Sequence, residues 1–229
     1  MKNTLNDDIL AKILALFSDC EEKVYSRGDI ITFADQEPEG VYLLFSGTVE
    51  QYDVTPEGNK MTVNIFKPTA FFPMSWAINK TPNTYYFAAL TTVKIKKKDP
   101  KLVVDFLKFN PDVTFNLLSR VFSGTDALQH RLALAASGAA SHRLIYEFLI
   151  EGKRFGDYTV AATAKKTNAN ANLILVHVRH NSLAARTGLA RETVSRELHK
   201  LESDGAIVLQ SDGILLNMSK LEKVLDVDV

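Results

Sequence analysis

Residues 180–209 read HNSLAARTGLARETVSRELHKLESDGAIVL, and this stretch limits the chain more than any other. Leu183 and Ala184 begin an apolar face. Gly188 stands where a tight turn between two helices needs a positive φ or a missing Cβ. Leu189 follows as a packing residue, with the small Ala190 at the start of a second helix. Val194, Leu198 and Leu201 then recur at helical spacing and form a buried stripe. A helix that buries Val194 and Leu198 turns Arg191, Glu192, Ser195, Arg196, His199 and Lys200 outward. Beyond it, Asp204-Gly205 ends the helix, Ala206 to Gln210 alternates like a strand, Ser211-Asp212-Gly213 is a hairpin turn, and Ile214 to Asn217 is the return strand. Helix, turn, helix and hairpin make a winged helix-turn-helix, whose second helix enters a DNA major groove. Arg can bridge guanine O6 and N7, and Glu can accept from cytosine N4. The rival reading of 190–202 is an ordinary amphipathic helix with a solvated charged face. The spacing of Ala184, Gly188 and Val194, and the hairpin that follows, favour DNA reading.

Local charge agrees. Between 179 and 200 the positive residues are Arg179, Arg186, Arg191, Arg196 and Lys200, opposed by Glu192 and Glu197. The whole chain has 27 Lys and Arg against 27 Asp and Glu, so no bulk attraction to phosphate exists. Binding must depend on a correctly placed patch, doubled in a dimer.

The 229 residues fit one large or two small domains. No apolar run approaches membrane-spanning length, and MKNTLNDDIL has no signal-peptide pattern. A cytoplasmic protein with no membrane contact is expected. The single cysteine, Cys20, excludes an intramolecular disulfide and an all-cysteine iron–sulfur site within one chain. Cys20 reads as a small helix-end residue, with a thiol sensor as the alternative.

Upstream, residues 4–17 form an amphipathic helix with Leu5, Ile9, Ile13, Leu14 and Phe17 on one side. From Val24 to Lys98 the texture turns to β. Val24-Tyr25, Ile30 to Phe33, Val41 to Phe45, Thr48 to Val54, Met61 to Phe66, Tyr85 to Ala89 and Thr92 to Lys96 are short and rich in β-branched and aromatic residues. Gly, Pro, Asn and Asp clusters such as Arg27-Gly28-Asp29 and Pro56-Glu57-Gly58-Asn59 separate them. Many short strands at regular spacing predict a small sandwich or jelly-roll barrel.

Asp99-Pro100 opens a short helix to about Lys108, and Pro111 starts a longer one over 111–136. In the latter, Leu118, Val121, Thr125, Leu128, Leu132 and Ala135 alternate by three and four, the seam of a two-stranded coiled coil. Phe115 and Phe122 lie off that seam and are expected to pack on the β-roll. A helix packed wholly inside its own domain is the alternative to a homodimer through 111–136. Operator-reading helices work in two-fold pairs, which favours the dimer. Ser137-Gly138 is the expected hinge, His142 to Ile150 another helix, 152–172 a loop or weak hairpin, and Leu173 to Val178 a strand.

The resulting expectation is an α+β chain. Residues 1–110 form a β-roll sensor domain with flanking helices, 111–137 a dimerisation helix, and 138–229 a winged helix DNA-binding domain. That order resembles the cyclic-AMP receptor and fumarate–nitrate regulator (Crp/Fnr) superfamily of bacterial transcription factors, over nearly the whole chain. Two stretches carry the resemblance: Arg27-Gly-Asp through Val41-Tyr-Leu-Leu-Phe-Ser-Gly47 with the Glu57-Gly58 hairpin, and Ala190-Arg-Glu-Thr-Val-Ser-Arg-Glu-Leu198. It implies that Arg191 and Arg196 read guanines, Glu192 reads a cytosine, and Ser195 contacts base or phosphate. Asn181 and Ser182 would cap the first helix and touch phosphate, and Lys200 belongs to the same DNA-binding set. The implied operator is an inverted repeat of TGTGA-like half-sites, with RNA polymerase as a further partner.

The sensor half departs from that family. Its cyclic-nucleotide cassette carries a Gly-Glu pair and then an Arg-Ser pair that holds the cyclic phosphate. The matching stretches here, Phe71 to Trp76 and Pro82 to Phe87, contain neither Arg nor Glu. A buried phosphate would keep its charge uncompensated, so no cyclic-AMP binding is expected. Residues 24–98 contain no histidine, and His130, His142, His177, His180 and His199 form no cluster in the β-roll. Neither a metal, nor a cofactor, nor an enzyme is expected. The pocket position holds Phe71, Phe72, Trp76, Tyr85, Tyr86 and Phe87. They either fill the interior as core, or stack around an apolar or planar effector with Thr125 and Leu128 closing over it. A third reading is a module whose winged domain contacts protein rather than DNA.

Overall fold

The computed structural model describes residues 6–157 and 173–225. The chain divides into two compact units, 1–125 and 126–229.

In the first unit, α1 (Asp7–Leu16) is capped by Asn6, whose side chain accepts from the Asp8 N–H, with Asp7 and Asp8 in the first turn. Leu5, assigned above to its apolar side, lies outside the described residues. The strands follow as β1 (Glu22–Tyr25), β2 (Ile30–Thr32), β3 (Val41–Ser46), β4 (Val49–Val54), β5 (Lys60–Phe66), β6 (Phe71–Phe72), β7 (Tyr86–Ala89) and β8 (Val93–Lys98). Between β6 and β7 lies α2 (Met74–Asn79). They pair antiparallel into two sheets of order β1-β8-β3-β6 and β2-β7-β4-β5. Alternation along β3 explains the layering. Tyr42 and Leu44 point into the roll with Val49, Phe72, Phe87, Val93 and Ile95. Val41 and Leu43 point out, onto a layer of Ile13, Phe17, Val103, Leu107 and Val113. Gly47 makes the β3–β4 turn. Its φ is +83°, and a Cβ there would meet the Thr92 carbonyl oxygen at 2.2 Å.

Two helices leave this roll, α3 (Pro100–Phe109) and α4 (Pro111–Ser137). Asp99 caps α3 by accepting from the N–H groups of Lys101 and Leu102. Arg120 of α4 donates to the Thr69 carbonyl at 3.1 Å. One expectation fails here. Phe115 and Phe122 do not pack on the β-roll; they are 73% and 60% exposed. At 100° per residue they stand beside Leu118, Val121 and Leu132 rather than beside Val113, so they widen the seam instead of leaving it.

The second unit contains α5 (Ala140–Phe155), β9 (Leu173–Val176), α6 (His180–Thr187), α7 (Arg191–Ser203), β10 (Ile207–Leu209), β11 (Ile214–Asn217) and α8 (Met218–Leu225). Gly138, between α4 and α5, has φ +78°. The expected helix ending at Ile150 continues to Phe155, so 152–155 are helical rather than loop. The apolar face of α5 ends at Leu149, but Glu151 and Gly152 remain buried and carry the helix on. Beyond it Asp157 bridges Leu175, and the remainder of the expected loop, 158–172, lies outside the described residues. A sheet of order β10-β11-β9 closes the unit. Its core joins Leu144, Phe148, Ile174, Leu183, Val194, Leu198, Ile207, Leu216 and Leu221.

Candidate nucleic-acid interface

α6 ends at Gly188, whose φ of +67° and N–H bonded to the Ala184 carbonyl form a left-handed C-cap. Ala190 is extended, and α7 starts one residue later. Val194 and Leu198 are fully buried against Leu183, which fixes the roll of α7 about its axis. Arg191, Glu192, Arg196, His199 and Lys200 are exposed as a result, and Ser195 is half-buried. The wing is β10, the turn at 210–213 and β11, in register Ile207↔Leu216 to Leu209↔Ile214. Glu202 of α7 accepts from the Leu209 N–H at 3.0 Å, and the His177 Nδ1 lies 2.7 Å from the Asp212 carbonyl. Helix and wing are thereby tied together.

Charge is less evenly spread than the sequence suggests. Glu197 is buried under the outer face, with the Lys200 Nζ at 3.0 Å and the Arg196 Nε at 3.6 Å from its Oε1. Arg186, counted above with the positive residues of the patch, is not on the surface. It turns inward to Glu151 of α5, and both side chains are under a tenth exposed. A buried carboxylate that needs a partner outcompetes solvent for the guanidinium.

Asn181 is exposed and Ser182 half-buried, in the first turn of α6. They do not cap it. The cap position is Arg179, extended at φ −101° and ψ 154°, and no side chain bonds there. β9 leads into the helix three residues earlier than a capping Ser182 would require. α7 likewise lacks a side-chain cap, which leaves its first-turn N–H groups to water or phosphate. The sequence reading missed the partner of Ser195: the His180 Nδ1 lies 3.2 Å from its Oγ. The signal was a histidine at the first helical position, but nothing in the spacing ties it to a residue fifteen places on.

The aromatic residues of the roll divide among three surroundings. Phe72 is central to the interior, stacked on Phe87, Tyr42 and Phe66 at 5.2, 5.5 and 5.6 Å between ring centres. Tyr85 packs at the edge of that cluster. Phe71 and Trp76 belong to the helix-covered layer outside the sheet, where Phe71 stacks on Phe17 at 5.9 Å. Tyr86 stacks on Tyr52 at 5.0 Å, with the Lys60 Nζ 4.0 Å above the Tyr52 ring. Thr125 and Leu128 lie on the exposed side of α4, and Thr125 donates to the Val121 carbonyl. Among the described residues no group of His, Cys, Asp and Glu has the arrangement of a metal site, and no helix is long and apolar enough to cross a membrane.

Comparison with known proteins matches this architecture. Residues 22–107 match the model of the cyclic nucleotide-binding domain, and residues 145–224 match that of the Crp-like helix-turn-helix domain. The global nitrogen regulator of Nostoc sp. is 24% identical over 197 residues, 85% of this chain and 84% of that protein. A CRP-like cAMP-activated global transcriptional regulator of Mycobacterium tuberculosis is 23% identical over 210 residues, 91% of this chain and 89% of the relative. Among solved structures, a CooA variant from Carboxydothermus hydrogenoformans aligns with a TM-score of 0.73 at 18% identity, covering 97% of this chain and 98% of its own. With both domain models matched in the order of the fold, the chain belongs to the Crp/Fnr family of DNA-binding transcription regulators, which are not enzymes.

Proposed function

We propose that this regulator binds an inverted-repeat operator with TGTGA-like half-sites as a homodimer, without cyclic AMP. One observation carries the reading. Burial of Val194 and Leu198 turns Arg191, Glu192 and Arg196 out together on α7, the residue types that discriminate guanine and cytosine edges. Arg191 and Arg196 are assigned to guanines, Glu192 to a cytosine, and Ser195 to a base edge. Asn181, Ser182 and Lys200 are assigned to phosphates. Pairing along 111–136 is supported by an unpartnered apolar stripe on α4, where Leu118, Val121 and Leu132 are 45%, 54% and 72% exposed. Two heads on one such seam match the two-fold symmetry of an operator. Independence from cyclic AMP rests on the lack of Arg and Glu in 71–76 and 82–87. The dispersal of the aromatic residues supports their role as core and gives an apolar effector no single seat. A cytoplasmic location and contact with RNA polymerase follow from this reading.

Operator selection from random DNA with purified protein, in the presence and absence of cell extract, tests it. A palindrome recovered equally in both supports a ligand-independent dimer. A palindrome that needs extract replaces that reading with an effector-gated one, and no palindrome in either dismisses the proposed function.

A further inference from the structure

A serine within a helix commonly turns its hydroxyl back to the carbonyl one turn earlier. Ser123, Thr125 and Thr187 do this, donating to Ser119, Val121 and Leu183 at 3.0, 3.0 and 2.7 Å. Ser195 behaves differently. Its Oγ meets the Nδ1 of His180 at 3.2 Å, across the two helices of the motif. His180 opens α6, and both residues are half-buried. Ser195 sits one helical turn from Arg191 and next to Arg196 on the chain, among the groups assigned above to base edges.

We propose that His180 is a positioning residue that sets the hydrogen-bonding polarity Ser195 offers to DNA, and so sharpens base choice at the operator step Ser195 meets. The inference rests on the DNA-reading function proposed above. A hydroxyl has one proton and two lone pairs, and a neutral imidazole has one donor and one acceptor nitrogen. With the ring proton on Nδ1, the imidazole donates to Ser195. The serine proton is then left for N7 or O6 of a purine or O4 of thymine. With the ring proton on Nε2, Nδ1 takes the serine proton. Ser195 can then only accept, as from the amino group of adenine or cytosine. The Nε2 tautomer leaves Ser195 able only to accept, and the Nδ1 tautomer occupies one of its two lone pairs and frees its proton to donate. Without the ring the hydroxyl is free to turn back onto its own helix, and that restriction is lost.

The test compares the intact protein with His180→Ala, Ser195→Ala and the double variant. Each is titrated against the selected operator and against every single-base change in one half-site. The expected result is a preference at one step that falls about tenfold in His180→Ala, falls at the same step in Ser195→Ala, and falls no further in the double variant. Preferences at the other steps and affinity for unrelated DNA stay unchanged. A uniform loss on all DNA would mark His180 as a packing or phosphate-holding group and overturn the inference, as would losses that add in the double variant. If the unaltered protein selects an operator and His180→Ala leaves every step intact, the inference fails alone. If it selects none, the DNA-reading function fails with it.

Discussion

Arg186 and Glu151 form a buried ion pair that ties α6 to α5 across thirty-five residues of chain. One turn earlier on α5, Glu147 is 2% exposed and holds Arg131 of α4. Consecutive turns of α5 thus grip the helix before it and the first helix of the DNA-reading pair. Removing one partner strands a charge in the interior. Glu151→Gln is expected to cost about 3–5 kcal/mol, read as a lower urea midpoint. Replacing both residues with apolar ones of similar size should cost far less. Equal losses from the single and double changes would show that packing, not charge, sets the effect.

The α4 stripe gives a second prediction. Val121 is 54% exposed in the single chain, so Val121→Asp leaves the monomer's fold intact while placing a charge in the paired seam. Sedimentation should report a dimer for the unaltered protein and a monomer for the variant, with operator affinity falling in parallel. A variant that still sediments as a dimer would remove 111–136 as the contact.

Two cations of the proposed recognition face, Arg196 and Lys200, are assigned separable roles. Arg196→Ala is expected to cost about 1–3 kcal/mol on the operator and to relax choice at one position. Lys200→Ala should weaken all DNA alike and lower the salt slope by about one. Glu197 holds Lys200 at 3.0 Å, so a smaller slope change would mean that this bond survives in the complex. Unchanged operator binding by Arg196→Ala would withdraw its assignment to a base.

Burial pushes the Tyr42 hydroxyl up to about 12 from the usual 10. Inside the roll the phenol keeps its proton at a pH where an unfolded chain has begun to lose it. This contribution is complete below pH 10 and is lost as pH rises toward 12. Tyr42→Phe should remove about 2 kcal/mol of alkaline destabilisation. Urea midpoints measured across that range for both proteins check it, and identical slopes would refute it.

Much of this was readable in the chain because the relevant signals are local. The alternation of Val41 to Phe45, the Gly188 turn and the Val194–Leu198 spacing each report on neighbours a few residues away. β6 and α2 escaped because they are too short for a period to register: β6 is two residues, Phe71 and Phe72, facing opposite layers. α8, as long as α6, follows β11 directly, with no Gly or Pro break to mark its start. Arg186 counted toward the local positive charge because its carboxylate partner, Glu151, lies on another helix. Phe115 and Phe122 looked off-seam under a strict heptad, yet the exposed apolar face of α4 is wider than the two positions per heptad of a strict seam. The shared exposed face of Arg191, Glu192 and Arg196, the residues proposed to read bases, was legible from spacing; the bond from His180 to Ser195 depends on how α6 crosses α7, and spacing does not encode that.

Phe72 has a consequence for handling the protein. Its ring lies at zero exposure among Tyr42, Phe66 and Phe87, so a side chain of the roll's own fills its interior. Phe72→Ala should lower stability by about 3–5 kcal/mol and leave an apolar gap that stays dry and takes up benzene. Added benzene would then raise the variant's melting temperature and leave the parent's unchanged. A single trimmed side chain would convert a filled interior into a receptor for a solvent molecule, giving the experimenter a chemical dial on a regulator that has none of its own in this reading.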